Sequence, residues 1–190
     1  MSREDAEVAE TLANCLRREG IEIQLNAAVE EICKSSDGQV GLTFRTPNGK
    51  QERTGSHLLV ALGRAPVTKD LDLPAAGVET TGKGFIKVND RLETNVPGIW
   101  AIGDVSGGPQ FTHASLDDFR ILRDNVFGNG SRSRSDRYVP STLFTDPELA
   151  HVGLTEKEAV SRGLEIRVLQ VPITPLTVPR ARNTAKWMVY

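Results

Sequence analysis

The chain has 190 residues, 38% hydrophobic, 25% charged and 5% aromatic, with a formal net charge of -2. That is the composition of a globular chain long enough for a real core, and its near-neutral balance excludes a broad nucleic-acid surface. No apolar run approaches the ~20 residues of a membrane span, the polar start MSREDAE is not a secretory leader, and Cys15 and Cys33 cannot build a disulfide scaffold, so a cytoplasmic protein is expected.

Val8, Ala9, Leu12, Ala13 and Leu16 recur at helical spacing and predict a helix over residues 4–19, stopped by Gly20. Ile21, Ile23 and Leu25 alternate with polar residues and predict a strand. A meander follows. Residues 29–34, 39–46 and 50–54 read as short strands, with Asp37-Gly38 and Asn48-Gly49 suited to the tight turns between them. The apolar run 57–62, HLLVAL, has the pattern of a strand buried on both faces, ended by Gly63-Arg64-Ala65-Pro66.

Residues 67–97 are loop-rich, with one strand candidate at 85–88, and Ile99-Trp100-Ala101-Ile102 reads as a second buried strand. A helix is predicted over 112–127, its buried stripe being Leu116, Phe119, Leu122 and Val126. The stretch 129–136, NGSRSRSD, reads as a flexible linker with solvated arginines. Further strands are expected at 140–145 and 165–172, with a sheet edge at 186–190. A helix is expected at 155–163, capped by Thr155 with Glu158 completing a capping box.

Chemistry concentrates in residues 94–104, TNVPGIWAIGD. Pro97 fixes the approach to a buried strand, the strand stops at Gly103, and Asp104 falls at its carboxyl end, where open α/β sheets bind ligands. A carboxylate there can accept hydrogen bonds from sugar-like hydroxyls. The helix beginning at Thr112 offers free N–H groups and a positive dipole end to an electron-rich group. A Gly-Asp pair after a strand is by itself an ordinary turn, so the weight rests on the whole pattern.

That pattern, T-x-x-P-x-I-x-A-x-G-D, resembles the second flavin-binding motif of the pyridine nucleotide-disulfide oxidoreductases. Residues 2–21 are similar to the last helix and strand of that family's nicotinamide domain. Residues 61–66, ALGRAP, resemble its A-T-G-R-x-P segment, and 139–154 resemble the start of its dimerisation domain. GGPQFT at 107–112, SLDDFR at 115–120 and VPRAR at 178–182 are most similar to the mercuric-reductase-like branch.

The resemblance implies an α/β fold, a fragment of the two-dinucleotide-binding-domain flavoprotein reductase that continues into an α+β dimerisation domain. It divides the chain into 1–66, the end of the NAD(P)-binding domain, 67–137, the end of the FAD-binding domain, and 138–190, the start of the dimerisation domain. It also implies FAD and NAD(P)H as cofactors and a homodimer as the assembled form. Hydride would pass from nicotinamide through flavin to a disulfide, dithiol or metal-ion acceptor, with no nucleic-acid or membrane partner. Asp104 would hydrogen-bond the FAD ribitol and Gly103 would let the chain approach it. The backbone N–H groups of Thr112 and His113 would face the pyrimidine edge of the flavin, and Gly63 would lie where the nicotinamide and flavin domains meet.

The sequence also departs from the family. It has no G-x-G-x-x-G, no C-x4-C redox pair and none of the family's C-terminal H-x4-E proton donor, so no catalytic residue and no metal ligand is assigned. Leu62 and Val67 replace a usual threonine and asparagine, and 183–188 follows the family's D-T-R-G-F-M only loosely. Cys15 and Cys33 read as inert buried thiols, and the side chains of His57, His113 and His151 as surface, capping or packing groups. Two readings stand: a segment of an FAD-dependent NAD(P)H oxidoreductase, mercuric-reductase-like or of the dihydrolipoamide dehydrogenase kind, or a truncated product that keeps only the fold. On either reading the 190-residue chain alone is expected to be inactive.

Overall fold

The computed structural model describes residues 4–34 and 37–169. Two compact units divide the chain, Met1–Gly63 and Arg64–Tyr190.

In the first unit, helix α1 (Ala6–Arg18) buries Val8, Leu12 and Ala13. It ends in a Schellman turn: Gly20 (φ +89°) donates to the Arg17 carbonyl and Ile21 to that of Leu16. Strands β1 (Ala28–Lys34), β2 (Val40–Thr46) and β3 (Gly49–Gly55) form the expected antiparallel meander in the order β1-β2-β3. The register slips between Val29 and Glu31. Glu30, at the slip, pairs with Arg45 Nε at 2.6 Å. Gly38 (φ +85°) and Gly49 (φ +109°) take the left-handed conformations their turns demand.

Two strands expected in this unit do not form. Residues 21–25 and 57–62 carry no ladder, and Leu59 and Leu62 are about nine-tenths exposed. A strand exists only as a hydrogen-bonded pair, and neither segment forms a ladder with any described residue. Nor are the cysteines buried: Cys33 is exposed on β1 and Cys15 half-buried on α1.

The second unit begins with irregular chain wrapped around Val78, Ile86 and Ala101, enclosed by Leu73, Val88, Val96, Ile99 and Val105. The strand candidates 85–88 and 99–102 reduce to single bridges, Thr80 with Ile86 and Glu93 with Trp100. Helix α2 spans Thr112–Phe127 as predicted, but it buries Ala114, Asp118 and Ile121. The expected stripe is outside, with Leu116, Phe119 and Val126 exposed. A buried carboxylate dictates the rotation, because Asp118 must reach a backbone N–H and two arginines.

Arg132 and Arg134 also correct the reading of 129–136 as a flexible linker with solvated arginines. Arg132 pairs with Asp117 at 3.1 Å, Arg134 lies 3.8 Å from Asp118, and Ser133 caps a 3₁₀ turn over Arg134–Asp136. The chain continues through an antiparallel pair, β4 (Ser141–Leu143) and β5 (Leu149–His151), to helix α3 (Glu156–Ser161). Thr155 and Glu158 form the predicted capping box. Residues 165–169 carry no strand; 170–172 and 186–190 lie outside the described residues. No described helix is long and apolar enough to cross a membrane.

Candidate functional site

The segment 99–106 is held from three sides. Ala101 donates to the Leu92 carbonyl (3.2 Å) and Ile86 to the Val105 carbonyl (2.9 Å). Gly103 N–H donates to Asp118 Oδ2 at 2.8 Å in a buried contact. The chain then closes into a 3₁₀ turn, Gly103–Ser106, with the Ser106 hydroxyl donating to the Gly103 carbonyl at 2.7 Å. Gly103 has φ +71°, and a Cβ there would sit 2.7 Å from Ser115 Oγ, so α2 itself requires a glycine.

Asp104 is therefore presented by a braced turn, its side chain half-exposed. It borders an open cleft of about 650 Å³ also lined by Arg64, Gln110, Thr112, Thr142, Leu143 and Phe144. Arg64 Nη1 lies 3.4 Å from Asp104 Oδ2 and 3.3 Å from the Gln110 carbonyl. Thr112 is the first residue of α2, and its N-cap, Phe111, offers no side-chain acceptor. The N–H groups of Thr112 and His113 consequently have no intrahelical partner. The His113 ring is tied down separately, stacking on Phe111 and donating from Nε2 to the Pro140 carbonyl at 2.8 Å.

Within the second unit the fold sets Asp104 and Thr112 on the same cleft, with Gly103 against Ser115 of α2 and the His113 ring held on Pro140. Gly63 (φ +123°) is the last residue of the first unit, with open space where a Cβ would stand. Sequence reasoning missed three residues: Arg64, Asp118 and Arg137. The signal available was complementary charge, an Asp117-Asp118 pair on a helix followed by three arginines at 132, 134 and 137.

A braced Gly-Asp turn beside an uncapped helix start suits a ligand with hydroxyls at one end and an electron-rich group at the other. Comparison with known proteins gives the class. Residues 1–118 match the family described as pyridine nucleotide-disulphide oxidoreductase, and residues 139–189 match its dimerisation domain. The chain belongs to that family.

Particular relatives narrow the setting. The chain is 42% identical over 183 residues to the probable pyridine nucleotide-disulfide oxidoreductase RclA of Escherichia coli (strain K12), covering 96% of this chain and 40% of the relative. It is 37% identical to the dihydrolipoyl dehydrogenase of Thermus scotoductus, covering 90% of this chain and 37% of that protein. Identity is also 37% to a mercuric reductase of Lysinibacillus sphaericus, over 93% of this chain and 32% of that one. A solved Cu(II) complex of the HOCl-induced flavoprotein disulfide reductase RclA from Escherichia coli superposes with a TM-score of 0.82 at 41% identity, over 96% of this chain and 40% of that one. The fold is accordingly part of the flavoprotein disulfide reductase fold, and the chain spans at most 40% of the length of these relatives.

Proposed function

We propose that this chain supplies the ribitol and flavin side of an FAD site in an NAD(P)H-dependent oxidoreductase. The observation that carries this reading is the half-exposed Asp104 carboxylate, held by a braced turn over a cleft that also receives the uncapped start of α2. The residues present fit one end of the cofactor. Asp104 would accept hydrogen bonds from ribitol hydroxyls, exchanging its long contact with Arg64 for them. The N–H groups of Thr112 and His113, with the positive end of α2, would face the pyrimidine edge and favour negative charge there. When bound, FAD accepts hydride from NAD(P)H and passes the electrons onward.

The acceptor class is a disulfide, a dithiol or a metal ion, and GGPQFT at 107–112 with SLDDFR at 115–120 supports the mercuric-reductase-like branch. The dimerisation match at 139–189 supports a homodimer as the assembled form.

Asp104→Ala tests the site. Loss of a charge-assisted hydrogen bond is worth about 1.5–3 kcal/mol, so flavin affinity should fall by about one to two decades, and less in Asp104→Asn. Melting should hardly move, because an exposed pair like Arg64–Asp104 contributes only ~0–1 kcal/mol. FAD titration followed by flavin fluorescence, beside thermal melts, checks both. Lowered melting with unchanged flavin affinity would mark Asp104 as a turn residue and end this reading.

A further inference from the structure

We propose that Asp118 is the positioning residue of the Gly103–Asp104 turn, and that Arg137, two residues before the dimerisation match, balances its charge. The bracing of the turn follows from geometry within this chain; its effect on a ligand rests on the reading of Asp104 given above.

Asp118 is only 2% exposed. Burying a carboxylate is costly unless each oxygen is engaged, and an apolar residue would serve a buried helix face without that cost. Here the two oxygens do separate work. Oδ2 accepts the Gly103 N–H at 2.8 Å. Oδ1 lies 2.7 Å from Arg137 Nη1, an ion pair in which the N–H does not point along the contact, and 3.8 Å from Arg134 Nε. Both arginine side chains are mostly buried.

The Gly103 N–H needs such an external acceptor. It opens a 3₁₀ turn, where the first amides have no acceptor within the turn. Asp104 is the next residue, so Asp118 pins the peptide one residue before the Asp104 Cα, and the 3₁₀ turn with its Ser106–Gly103 bond carries that constraint on. Arg137 also donates to the Ala114 carbonyl at 3.2 Å and lies 3.2 Å from Asp117 Oδ2, which fastens its own segment to α2. His113 fastens Pro140 to the same helix. The turn under the cleft and the wall at 142–144 thus share α2 as their anchor, and the charge of Asp118 joins them.

The test is amide hydrogen exchange by NMR on the full 190-residue chain, with Gly103 read against Val78, whose amide bonds the Leu73 carbonyl outside the turn. Asp118→Ala should raise Gly103 exchange by about tenfold or more relative to Val78. Asp118→Asn keeps an acceptor oxygen and should hold that ratio within about threefold. Arg137→Met should raise the ratio while leaving Val78 alone, and it carries the test should Asp118→Ala fail to fold. A rise shared equally by Gly103 and Val78 would make Asp118 a purely structural residue and overturn the proposal.

A second arm titrates FAD to millimolar concentration and follows the Thr112 amide. Asp118→Ala should weaken the response about tenfold and Asp118→Asn less. If Asp104→Ala weakens it and Asp118→Ala does not, positioning fails and the flavin reading stands. If neither changes it while Gly103 exchange responds, the bracing of the turn stands and the flavin reading fails.

Discussion

At Gly103, conformation and contact make the same demand. An alanine would have to hold φ +71° and place its Cβ 2.7 Å from Ser115 Oγ. The left-handed conformation alone costs about 1–2 kcal/mol for a residue with a Cβ. Gly103→Ala should therefore lower stability by about 2–4 kcal/mol in thermal melts. Adding Ser115→Ala should recover the steric part and leave the backbone part. Asp118 works differently. Removing its carboxylate leaves the Gly103 N–H without its acceptor, a loss of about 1–3 kcal/mol, while Arg137 keeps Asp117 at 3.2 Å as a counter-charge. Asp118→Ala should therefore loosen the Gly103 turn more than it shifts the denaturant midpoint of the second unit, and Asp104→Ala, one residue beyond the turn's anchor, should hardly shift that midpoint at all.

Helix α2 sets buried and exposed faces against expectation, and the contrast is measurable. Ile121 is fully buried, so Ile121→Ala should cost about 2–5 kcal/mol. Leu116 and Phe119, which the periodicity alone would place inside, are half-exposed. Leu116→Gln should accordingly stay within about 0.5 kcal/mol of the parent chain. Denaturant melts of the two variants compare the faces directly. Helix α3 has only six residues and depends on its ends. Thr155 accepts the Glu158 N–H at 3.1 Å, and Glu158 Oε2 accepts the Thr155 N–H at 3.0 Å. Losing the cap in Thr155→Ala should cost about 1 kcal/mol, seen as faster exchange of the Ala159 and Arg162 amides.

For the molecule as a whole, exposed apolar chain is the governing fact. Leu59, Val60 and Leu62 stand in water as unladdered backbone. Such a segment offers both apolar side chains and free N–H and C=O groups to another copy. The 190-residue chain should self-associate on concentration, and Leu59→Lys with Leu62→Lys should reduce this in sedimentation velocity. The same chain should purify colourless and oxidise NAD(P)H no faster than free flavin does. Its sequence has no G-x-G-x-x-G loop to take the FAD pyrophosphate, a large share of dinucleotide affinity.

Local rules sufficed for the features that local chemistry makes. Helix α1 and its Gly20 stop, the β1-β2-β3 meander with its Asn-Gly turn, the extent of α2 and the capping box of α3 all follow from period, turn residues and caps within a few positions. The Gly103-Asp104 turn and the family were legible for a related reason, since eleven consecutive residues carry that motif. Partnership between distant segments was not legible. HLLVAL has the composition of a buried strand, but a strand needs a paired neighbour, and the segment forms no ladder with the described residues. The rotation of α2 could not be read from its apolar spacing either. It was decided by the carboxylate of Asp118, which gains a backbone N–H and two guanidinium groups only when turned inward. That choice also converts 129–136 from an apparent linker into a strap that, with Arg137, carries the arginines. Periodicity sees side chains one at a time; the tertiary structure decides which charges meet.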